Sequence, residues 1–260
     1  MKRCLQFLTI SSLLLTVFSV HAQHLKVLTY NIHHGENMKG QVDIQGIANV
    51  ILATNPDLVA LQEVDSVTNR THKSDQLKEL AAITGMYTYF AKAMDYDGGG
   101  YGNGILSRLP IKSSYTLPLP GTAGNEPRVA GVITLQLPGD SLLQFIATHL
   151  DASNNSNDRI EQVKALLQYC QKSKNNTILA GDLNAIPASK EMALLRSVFA
   201  DATQILGHTH PADTPTVKLD YIWLHPAHRW TVIAPKVIEE TVASDHRPVV
   251  CELDIKSTLP

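Results

Sequence analysis

Residues 177–184 read Thr-Ile-Leu-Ala-Gly-Asp-Leu-Asn, a run of apolar or β-branched residues that meets a glycine, an acid and an amide. The run predicts a buried strand, and Gly181 leaves room for backbone or ligand to approach closely. Alternate side chains of an extended chain share a face, so Asp182 and Asn184 are expected to project together from the strand end. Such a pair can activate a water and donate to a developing oxygen anion. The alternative is an Asx turn without chemistry.

Strands and helices alternate on both sides of this segment. Helical spacing of apolar residues predicts helices over residues 44–54, 74–84, 158–171 and 190–197. Strands are predicted over 24–31, 58–62, 87–91, 104–107, 129–137, 142–150, 177–180, 219–224, 231–238 and 249–255, with 95–103 as a glycine-rich loop. Strands outnumber helices and some neighbouring strands form hairpins. This favours an α/β protein with one mixed sheet, or with two stacked sheets and helices outside them.

The first 22 residues have a composition of their own. Lys2 and Arg3 precede an apolar stretch over residues 5–20, and a small residue follows. This order predicts a secretory signal peptide over residues 1–22 and one domain over residues 23–260. An uncleaved anchor helix is the alternative, although the stretch is short for crossing a bilayer. We therefore expect an exported protein, in the periplasm or outside the cell, without stable membrane insertion.

The charge and the cysteines of residues 23–260 narrow the choice of partner and fold. Without Lys2 and Arg3, 20 basic residues stand against 24 acidic residues, a net charge of −4. That argues mildly against a general grip on the nucleic-acid backbone, but it is compatible with a nuclease that makes few phosphate contacts. Cys170 and Cys251 could pair in an exported protein. Because one falls in a predicted helix and the other in a predicted strand, we expect two separate buried thiols.

Six segments place chemically potent side chains at the edges of predicted strands. They are Asn31, Glu63, His149, Asp182 with Asn184, Asp220, and Asp245 with His246. Each of these residues taken alone has an ordinary structural explanation, as a solvated strand end, a core histidine or a cap. His33 and His34, which follow Asn31 closely, are interpreted as loop residues. A carboxylate inside an apolar strand, such as Asp220, needs a partner because an unpaired buried charge is costly. Since substrate sites of sheet proteins gather at strand ends, the six segments together predict one site.

The residue types in this set select a chemistry. Carboxylates and an amide are hard oxygen ligands, which favour Mg²⁺, Mn²⁺ or Ca²⁺. The sequence has no Cys/His cluster for structural zinc, no Gly-x-Ser-x-Gly elbow and no phosphate loop of the nucleotide-triphosphatase type. A divalent ion bound by oxygen beside histidine and aspartate fits the hydrolysis of a phosphate ester.

At these residues the chain resembles the endonuclease/exonuclease/phosphatase superfamily, which includes pancreatic-type deoxyribonucleases, abasic-site endonucleases and neutral sphingomyelinases. The matching segments follow the order of that family and are residues 29–31, 61–64, 102–107, 148–150, 181–184, 219–222 and 244–248. The resemblance implies that residues 23–260 form a four-layer α/β/β/α sandwich with its catalytic site at one rim of the two sheets.

The resemblance also implies roles around a metal ion. Glu63 would be the main metal ligand, with Asn31 and Asp245 close to the ion. His246 would contact the scissile phosphate and act in acid–base catalysis. Asp220 would hydrogen-bond His246, fixing its tautomer and favouring its charged form.

Three more residues take roles by the same resemblance. Asp182 would position or activate the attacking water, and Asn184 would steady the developing negative oxygen. His149 would be a second histidine in contact with the phosphate.

The chain departs from the family at one position that touches substrate. Several relatives carry a basic residue two positions after the metal-binding glutamate, where this chain has Asp65. Arg70 or Arg128 could restore the lost positive charge, or each could be a surface ion-pair residue. Asn103, within the matching segment 102–107, is a further candidate for substrate binding. Tyr96 and Tyr101 could line a pocket or anchor a loop.

The expected function is that of an exported, divalent-metal-dependent phosphoesterase that acts as a monomer. The expected reaction is hydrolysis of a phosphodiester by metal-assisted attack of water, and the ester could be a small molecule, a lipid headgroup or a nucleic acid. A secreted endonuclease for DNA or RNA and a sphingomyelinase-like lipid phosphodiesterase remain open. A non-catalytic binding module is the alternative from another class, although none of its expected erosion is present at the catalytic positions.

Overall fold

The computed structural model describes residues 23–138 and 141–256. The predicted signal peptide over residues 1–22 lies outside the described residues, as do residues 139–140 in the turn between two strands. The described residues form two mixed sheets of seven and six strands, flanked by four helices. The predicted α/β sandwich is confirmed.

Strands predominate over helices along the described residues. The strands are β1 (Gln23–Asn31), β2 (Leu58–Ser66), β3 (Tyr87–Tyr96), β4 (Gly99–Ser107), β5 (Ile111–Pro118), β6 (Val129–Gln136), β7 (Leu142–His149), β8 (Asn176–Asp182), β9 (Ala200–Asp201), β10 (Asp220–His225), β11 (Trp230–Val232), β12 (Lys236–Val237) and β13 (Val249–Ile255). The helices are α1 (Ile44–Thr54), α2 (Gln76–Thr84), α3 (Asn157–Gln171) and α4 (Lys190–Arg196).

The two sheets are built from different parts of the chain. The first has the order β11-β13-β1-β2-β4-β3, with β12 paired to β13, and the second has the order β5-β6-β7-β8-β10-β9. The last strand, β13, returns to lie antiparallel to β1. The first sheet is therefore complete only when β13, the last of the described strands, has paired with β1 and β11.

Apolar side chains on both faces of the central strands hold the layers together. Ala60 and Ile105 of the first sheet meet Phe145 and Ile178 of the second in a core between the sheets. Separate cores join α1 and α2 to the outer face of the first sheet, and α3 and α4 to that of the second. Strands buried on both faces have continuous apolar sequences, which is why the run at 177–180 predicted its strand correctly.

Both described cysteines are free and buried, as expected. Cys251 lies in the core between the sheets, whereas Cys170 lies in the outer core under α3. Among the described residues, no helix combines the length and the apolar character that crossing a bilayer requires.

Two predicted elements need correction, and one strand was not predicted. The predicted glycine-rich loop 95–103 is a hairpin in which β3 and β4 pair up to Tyr96 and Gly99. Its two turn residues, Asp97 and Gly98, have φ of 45° and 75°, which suits the Asp-Gly turns that match strand twist. The predicted strand 231–238 is two short strands, β11 and β12, and the half-exposed strand β5 was not predicted because its residues are largely polar.

A glycine allows β7 and β8 to approach closely beside the predicted site. Gly181 lies opposite Thr148, and a Cβ at this position would collide with the Thr148 carbonyl oxygen. We expect Gly181→Ala to lower the free energy of unfolding by about 1–3 kcal/mol, because the strands must move apart. Urea unfolding measures this, with Gly207→Ala as control because a Cβ there meets nothing within 4 Å. Equal unfolding midpoints for the two variants would contradict the expectation.

Candidate active site

A cavity of about 460 Å³ opens at the rim where strand ends of both sheets meet. Eight of the predicted residues line it: Glu63, Arg70, Arg128, His149, Asp182, Asn184, Asp245 and His246. Asn31 and Asp220 lie directly behind this wall, in hydrogen bonds with Glu63 and His246 respectively. The six predicted strand-end segments therefore meet at one place.

Asn103 lies elsewhere. Its side chain is buried, and its Nδ2 donates a hydrogen bond to the carbonyl oxygen of Val129, 2.9 Å away. That bond links β4 of the first sheet to β6 of the second. Because its donor is used in this way and it is not part of the cavity lining, the structure gives Asn103 a structural role where substrate binding was predicted.

Asp182 and Asn184 are brought together by a turn. Strand β8 ends at Asp182, whose Oδ1 accepts a hydrogen bond from the Asn184 amide N–H at 2.9 Å. Asn184 has a φ of 46°, so the expected alternation along one extended strand is wrong. The two alternatives, an Asx turn and a pair of polar side chains at the site, are therefore both realised: the Asx turn itself brings Asp182 and Asn184 together. The turn directs Asn184 Nδ2 to the carbonyl oxygen of Leu150 and to Nε2 of His149, at 3.0 and 2.9 Å.

Glu63 lies at an irregularity inside a strand. The strand predicted to end at residue 62 continues to Ser66, and its pairing with β4 shifts register between Leu61 and Val64. Glu63 has a φ of 58°, which is uncommon for a residue with a side chain. Bulges of this kind redirect a side chain and occur often beside active sites. Here the bulge directs the Glu63 carboxylate to the cavity.

The amide of Asn31 lies between two carboxylates. Its Nδ2 donates to Glu63 Oε1 at 3.0 Å and to Asp182 Oδ2 at 3.1 Å. The position between these oxygens thus receives the positive end of a dipole. Asp245 lines the same cavity and adds a third carboxylate. The Oδ1 of Asn31 accepts from the His33 amide, so the carboxylates of Glu63 and Asp245 on the cavity wall are the groups that fit a hard divalent cation.

His246 is held as an imidazolium by a buried carboxylate. Its Nδ1 is 2.9 Å from Asp220 Oδ2, and its Nε2 is 3.6 Å from Asp182 Oδ2. Burial by itself lowers the pKa of His246, but the charges of Asp220, Asp182 and Asp245 outweigh it and raise the pKa to about 10. The ring is therefore protonated at neutral pH, and it presents an Nε2–H to the cavity.

The pKa of Asp182 is raised and that of His149 is lowered, and both shifts favour the neutral form of the group. Burial raises the pKa of Asp182 to about 7, although the His246 charge and hydrogen bonds from Asn184 and Asn31 oppose the rise. Burial and the positive charge of Arg128 lower the pKa of His149 well below its usual value. Neutral His149 and charged His246 then lie on either side of Asp182 Oδ2, at 3.5 and 3.6 Å. Such divergent neighbours can serve as acid and base at one pH.

Two arginines supply positive charge to the cavity. Arg70 donates two hydrogen bonds to Asp65, at 2.6 and 2.8 Å, and its guanidinium lies 4.6 Å from the Tyr96 ring centre and 5.6 Å from that of Tyr101. Asp65, at the position where several relatives have a basic residue, anchors a basic residue here. Arg128 lies 3.1 Å from Nδ1 of His149. Both arginines line the cavity, so either can restore the positive charge that several relatives carry at the position of Asp65.

Three histidines line the cavity although none of them was predicted as a site residue. His33 and His34, interpreted as loop residues, form a 3₁₀ turn on the cavity wall. Burial, followed by the charge of Arg70, lowers the pKa of His34. His210 lies with its ring centre 4.6 Å from that of His246 and was not singled out at all. Each stands in a loop without strand or helix periodicity, so only the residue type could have drawn attention to it.

Comparison with known proteins adds a family and a shared fold. The model of the endonuclease/exonuclease/phosphatase family matches residues 28–246. The solved endonuclease/exonuclease/phosphatase of Beutenbergia cavernae is 24% identical over 90% of this chain and 72% of that chain, with a TM-score of 0.74. The human Nocturnin catalytic domain, solved with sulfate, is 23% identical over 90% and 94%, with a TM-score of 0.73. A mannosyl-6-phosphatase of Bacteroides thetaiotaomicron is 18% identical over 88% and 99%, with a TM-score of 0.72.

Proposed function

Since the chain belongs to the endonuclease/exonuclease/phosphatase family, whose members hydrolyse phosphate esters, we propose that it is an exported, divalent-metal-dependent phosphodiesterase. The observation that carries this proposal is the convergence of His246, Asp182 and the oxygen-rich set around Asn31 on one cavity. Export rests on the composition of residues 1–22. The metal rests on the chemistry of the donor set.

The residues that would hold the ion are those at the oxygen-rich wall. Bound by Glu63, with Asn31 and Asp245 close to it, Mg²⁺ or Mn²⁺ would polarise the phosphoryl group and offset the negative charge that develops on it. The buried amide of Asn31 would keep the carboxylates of Glu63 and Asp182 apart while each faces the substrate.

Asp182 would accept a proton from the attacking water. Its pKa of about 7 leaves much of the carboxylate ionised near neutral pH, yet basic enough to take that proton. The water oxygen then forms the new bond to phosphorus. Asn184 and neutral His149 line the same part of the cavity, where Asn184 Nδ2 and His149 Nε2 contact each other. Exchanging that contact for the substrate would let them hydrogen-bond the non-bridging oxygens.

His246 would protonate the leaving oxygen as its bond to phosphorus breaks. Its Nε2–H faces the cavity, and Asp220 at Nδ1 fixes that tautomer. Because the imidazolium is charged before the reaction begins, it also stabilises the negative phosphate. The proton balance closes when the product leaves and the proton passes from Asp182 to His246 through solvent.

A phosphomonoesterase is the second candidate, and the two arginines favour it. A phosphomonoester carries about 1.5 to 2 negative charges at neutral pH, whereas a diester carries one. Arg70 and Arg128 both line the cavity, paired with the carboxylates of Asp65 and Glu126 respectively. Each guanidinium has five N–H donors, so those not used in its ion pair could bind the more highly charged phosphate. The cavity volume of about 460 Å³ also falls within the range of small-molecule sites. The phosphatase name of one structural neighbour agrees with this candidate.

A substrate panel with metal titration tests the proposal. Purified protein should hydrolyse bis-p-nitrophenyl phosphate with Mg²⁺ or Mn²⁺, lose that activity in chelator and regain it when the ion is returned. Faster turnover of p-nitrophenyl phosphate would favour the monoesterase, and plasmid DNA and sphingomyelin separate the nuclease and lipid alternatives. No turnover on all four substrates with either ion would contradict the proposal and support a binding module. Mass spectrometry of the exported chain, expected to begin at Gln23, tests the signal peptide.

A further inference from the structure

Two histidines and a glutamate form a cluster on the cavity wall. His33, His34 and Glu63 each offer a potential ligand atom, and these atoms lie within 4.8 Å of one another. All three side chains line the cavity. The hydrolytic steps proposed above use Glu63 but neither histidine. The pair therefore calls for an explanation of its own.

The backbone at this cluster is held in an unfavourable conformation. His33, His34 and Glu63 have φ of 46°, 44° and 58°, although none is a glycine. Residues in this region are strained and persist where the surroundings enforce them, most often at functional sites. Enforcing contacts are present, because Asn31 Oδ1 accepts from the His33 amide at 3.0 Å and Gln76 Nε2 donates to the His34 carbonyl oxygen.

Each histidine has one ring nitrogen engaged and one free. Nδ1 of His33 is 3.3 Å from the carbonyl oxygen of Glu36, to which it can only donate, so Nε2 keeps its lone pair. Nε2 of His34 is 3.6 Å from a carboxylate oxygen of Glu36, while its Nδ1 is buried and has no hydrogen-bond partner among the described residues. His33 has the arrangement of histidines that bind metals, with the second nitrogen donating to a carbonyl oxygen. In His34 the carboxylate of Glu36 lies close to the second nitrogen, at a distance longer than a hydrogen bond.

Local charge permits a cation at this position. Arg70 is the nearest guanidinium of the cavity wall, but two hydrogen bonds tie it to the buried carboxylate of Asp65. Glu63 itself has one oxygen, Oε1, in contact with Asn31 at 3.0 Å, which leaves the other for the histidine side. One carboxylate can thus face an oxygen-rich position and a nitrogen-rich position.

We propose that His33, His34 and Glu63 form a second metal site in the cavity, selective for Zn²⁺ over Mg²⁺. Two imidazoles and one carboxylate are a ligand set of catalytic zinc sites, in which a further position stays open to water or substrate. Imidazole suits zinc, whereas Mg²⁺ prefers oxygen. An ion at this site adds a second positive charge within reach of a phosphate ester.

Zinc binding in competition with magnesium tests the site. Chelator-treated protein is dialysed against Zn²⁺ in a large excess of Mg²⁺, and the bound zinc is measured by atomic emission. We expect zinc to remain bound. In a separate sample with Co²⁺ in place of Zn²⁺, we expect visible absorption bands typical of Co²⁺ bound by imidazole nitrogen. His33→Asn and His34→Asn should each weaken zinc binding by a factor on the order of 100. Asparagine is the chosen replacement because it tolerates positive φ.

His72→Asn is the matched control. His72 has a φ of 54° and is exposed outside the cavity, so this variant tests the same backbone change without loss of a ligand. Complete displacement of zinc by Mg²⁺, or zinc affinities in His33→Asn and His34→Asn equal to that of His72→Asn, would overturn the proposal. The Co²⁺ spectrum of the unmodified protein decides the matter if a variant fails to fold. Because the readout is metal binding, absent hydrolysis would refute the proposed function and leave this site standing.

Discussion

Replacing His246 by glutamine is expected to lower kcat/KM for phosphate ester hydrolysis about 10²- to 10⁴-fold, the range in which general acid catalysis contributes. Glutamine can still donate a hydrogen bond from this position, but it cannot give up a proton to the leaving oxygen. The pKa of His246 is raised to about 10, so the unmodified protein keeps its acid through neutral pH. Its kcat/KM should therefore fall as pH rises towards 10. The variant should lack that fall.

The comparison needs a histidine variant without a role in the cavity. His228 is exposed, and His228→Gln should match the unmodified protein in rate and pH profile. Thermal unfolding of both variants separates loss of chemistry from loss of fold. If the His246 variant hydrolysed the substrate as fast as the His228 variant, the assignment of His246 as general acid would be wrong.

Asp182→Asn is expected to cost a similar factor in rate without lowering stability. The amide can still take part in hydrogen bonds but cannot accept the proton of the attacking water, so kcat/KM should fall about 10²- to 10⁴-fold. Burial raises the pKa of Asp182 from 3.8 to about 7, so the folded protein binds this proton more tightly than the unfolded chain. The stabilising effect of that proton is complete below pH 3.8 and is lost as pH rises to about 7.

Above pH 7 the buried carboxylate therefore destabilises the fold, and its neutral replacement relieves this cost. The melting temperature of Asp182→Asn should equal or exceed that of the unmodified protein at pH 8, as in other exchanges of activity for stability. Asp213→Asn, at an exposed position outside the cavity, is the control. A variant that lost activity and melted well below this control would indicate a structural role for Asp182.

The site residues at strand ends were predictable because they follow strong local patterns. Buried strands such as β8 are apolar on both faces, so the polar residue that ends the run is conspicuous in the sequence. Where several such strands end, their terminal side chains must share a rim. Asp182 and Asp220 could be located in this way, and the resemblance to a known family added their roles.

The other features of the candidate site could not be predicted, because they depend on contacts between residues far apart in the sequence. The bulge that directs Glu63 is a mismatch in pairing between β2 and β4, and periodicity within either strand does not contain it. Arg70 reaches the cavity because Asp65 anchors it, a pairing set by the path of a loop. His210 lies on the long connection between β9 and β10, where backbone hydrogen bonds join it to Val217 and its neighbour Ala212 to Asp245. Only the Asp97-Gly98 hairpin carried a local signal that was overlooked.

The return of β13 to the side of β1 has a consequence for synthesis. Asn31 lies at the end of the first strand, and its carbonyl oxygen accepts a hydrogen bond from Ser244 Oγ, 2.7 Å away, just before Asp245 and His246. A nascent chain can form most of both sheets before these residues emerge, yet it lacks Asp245 and the proposed general acid His246. Long-range pairing of this kind also forms slowly. Hydrolytic activity should therefore appear only after Asp245 and His246 have emerged and β13 has paired with β1, in one late step.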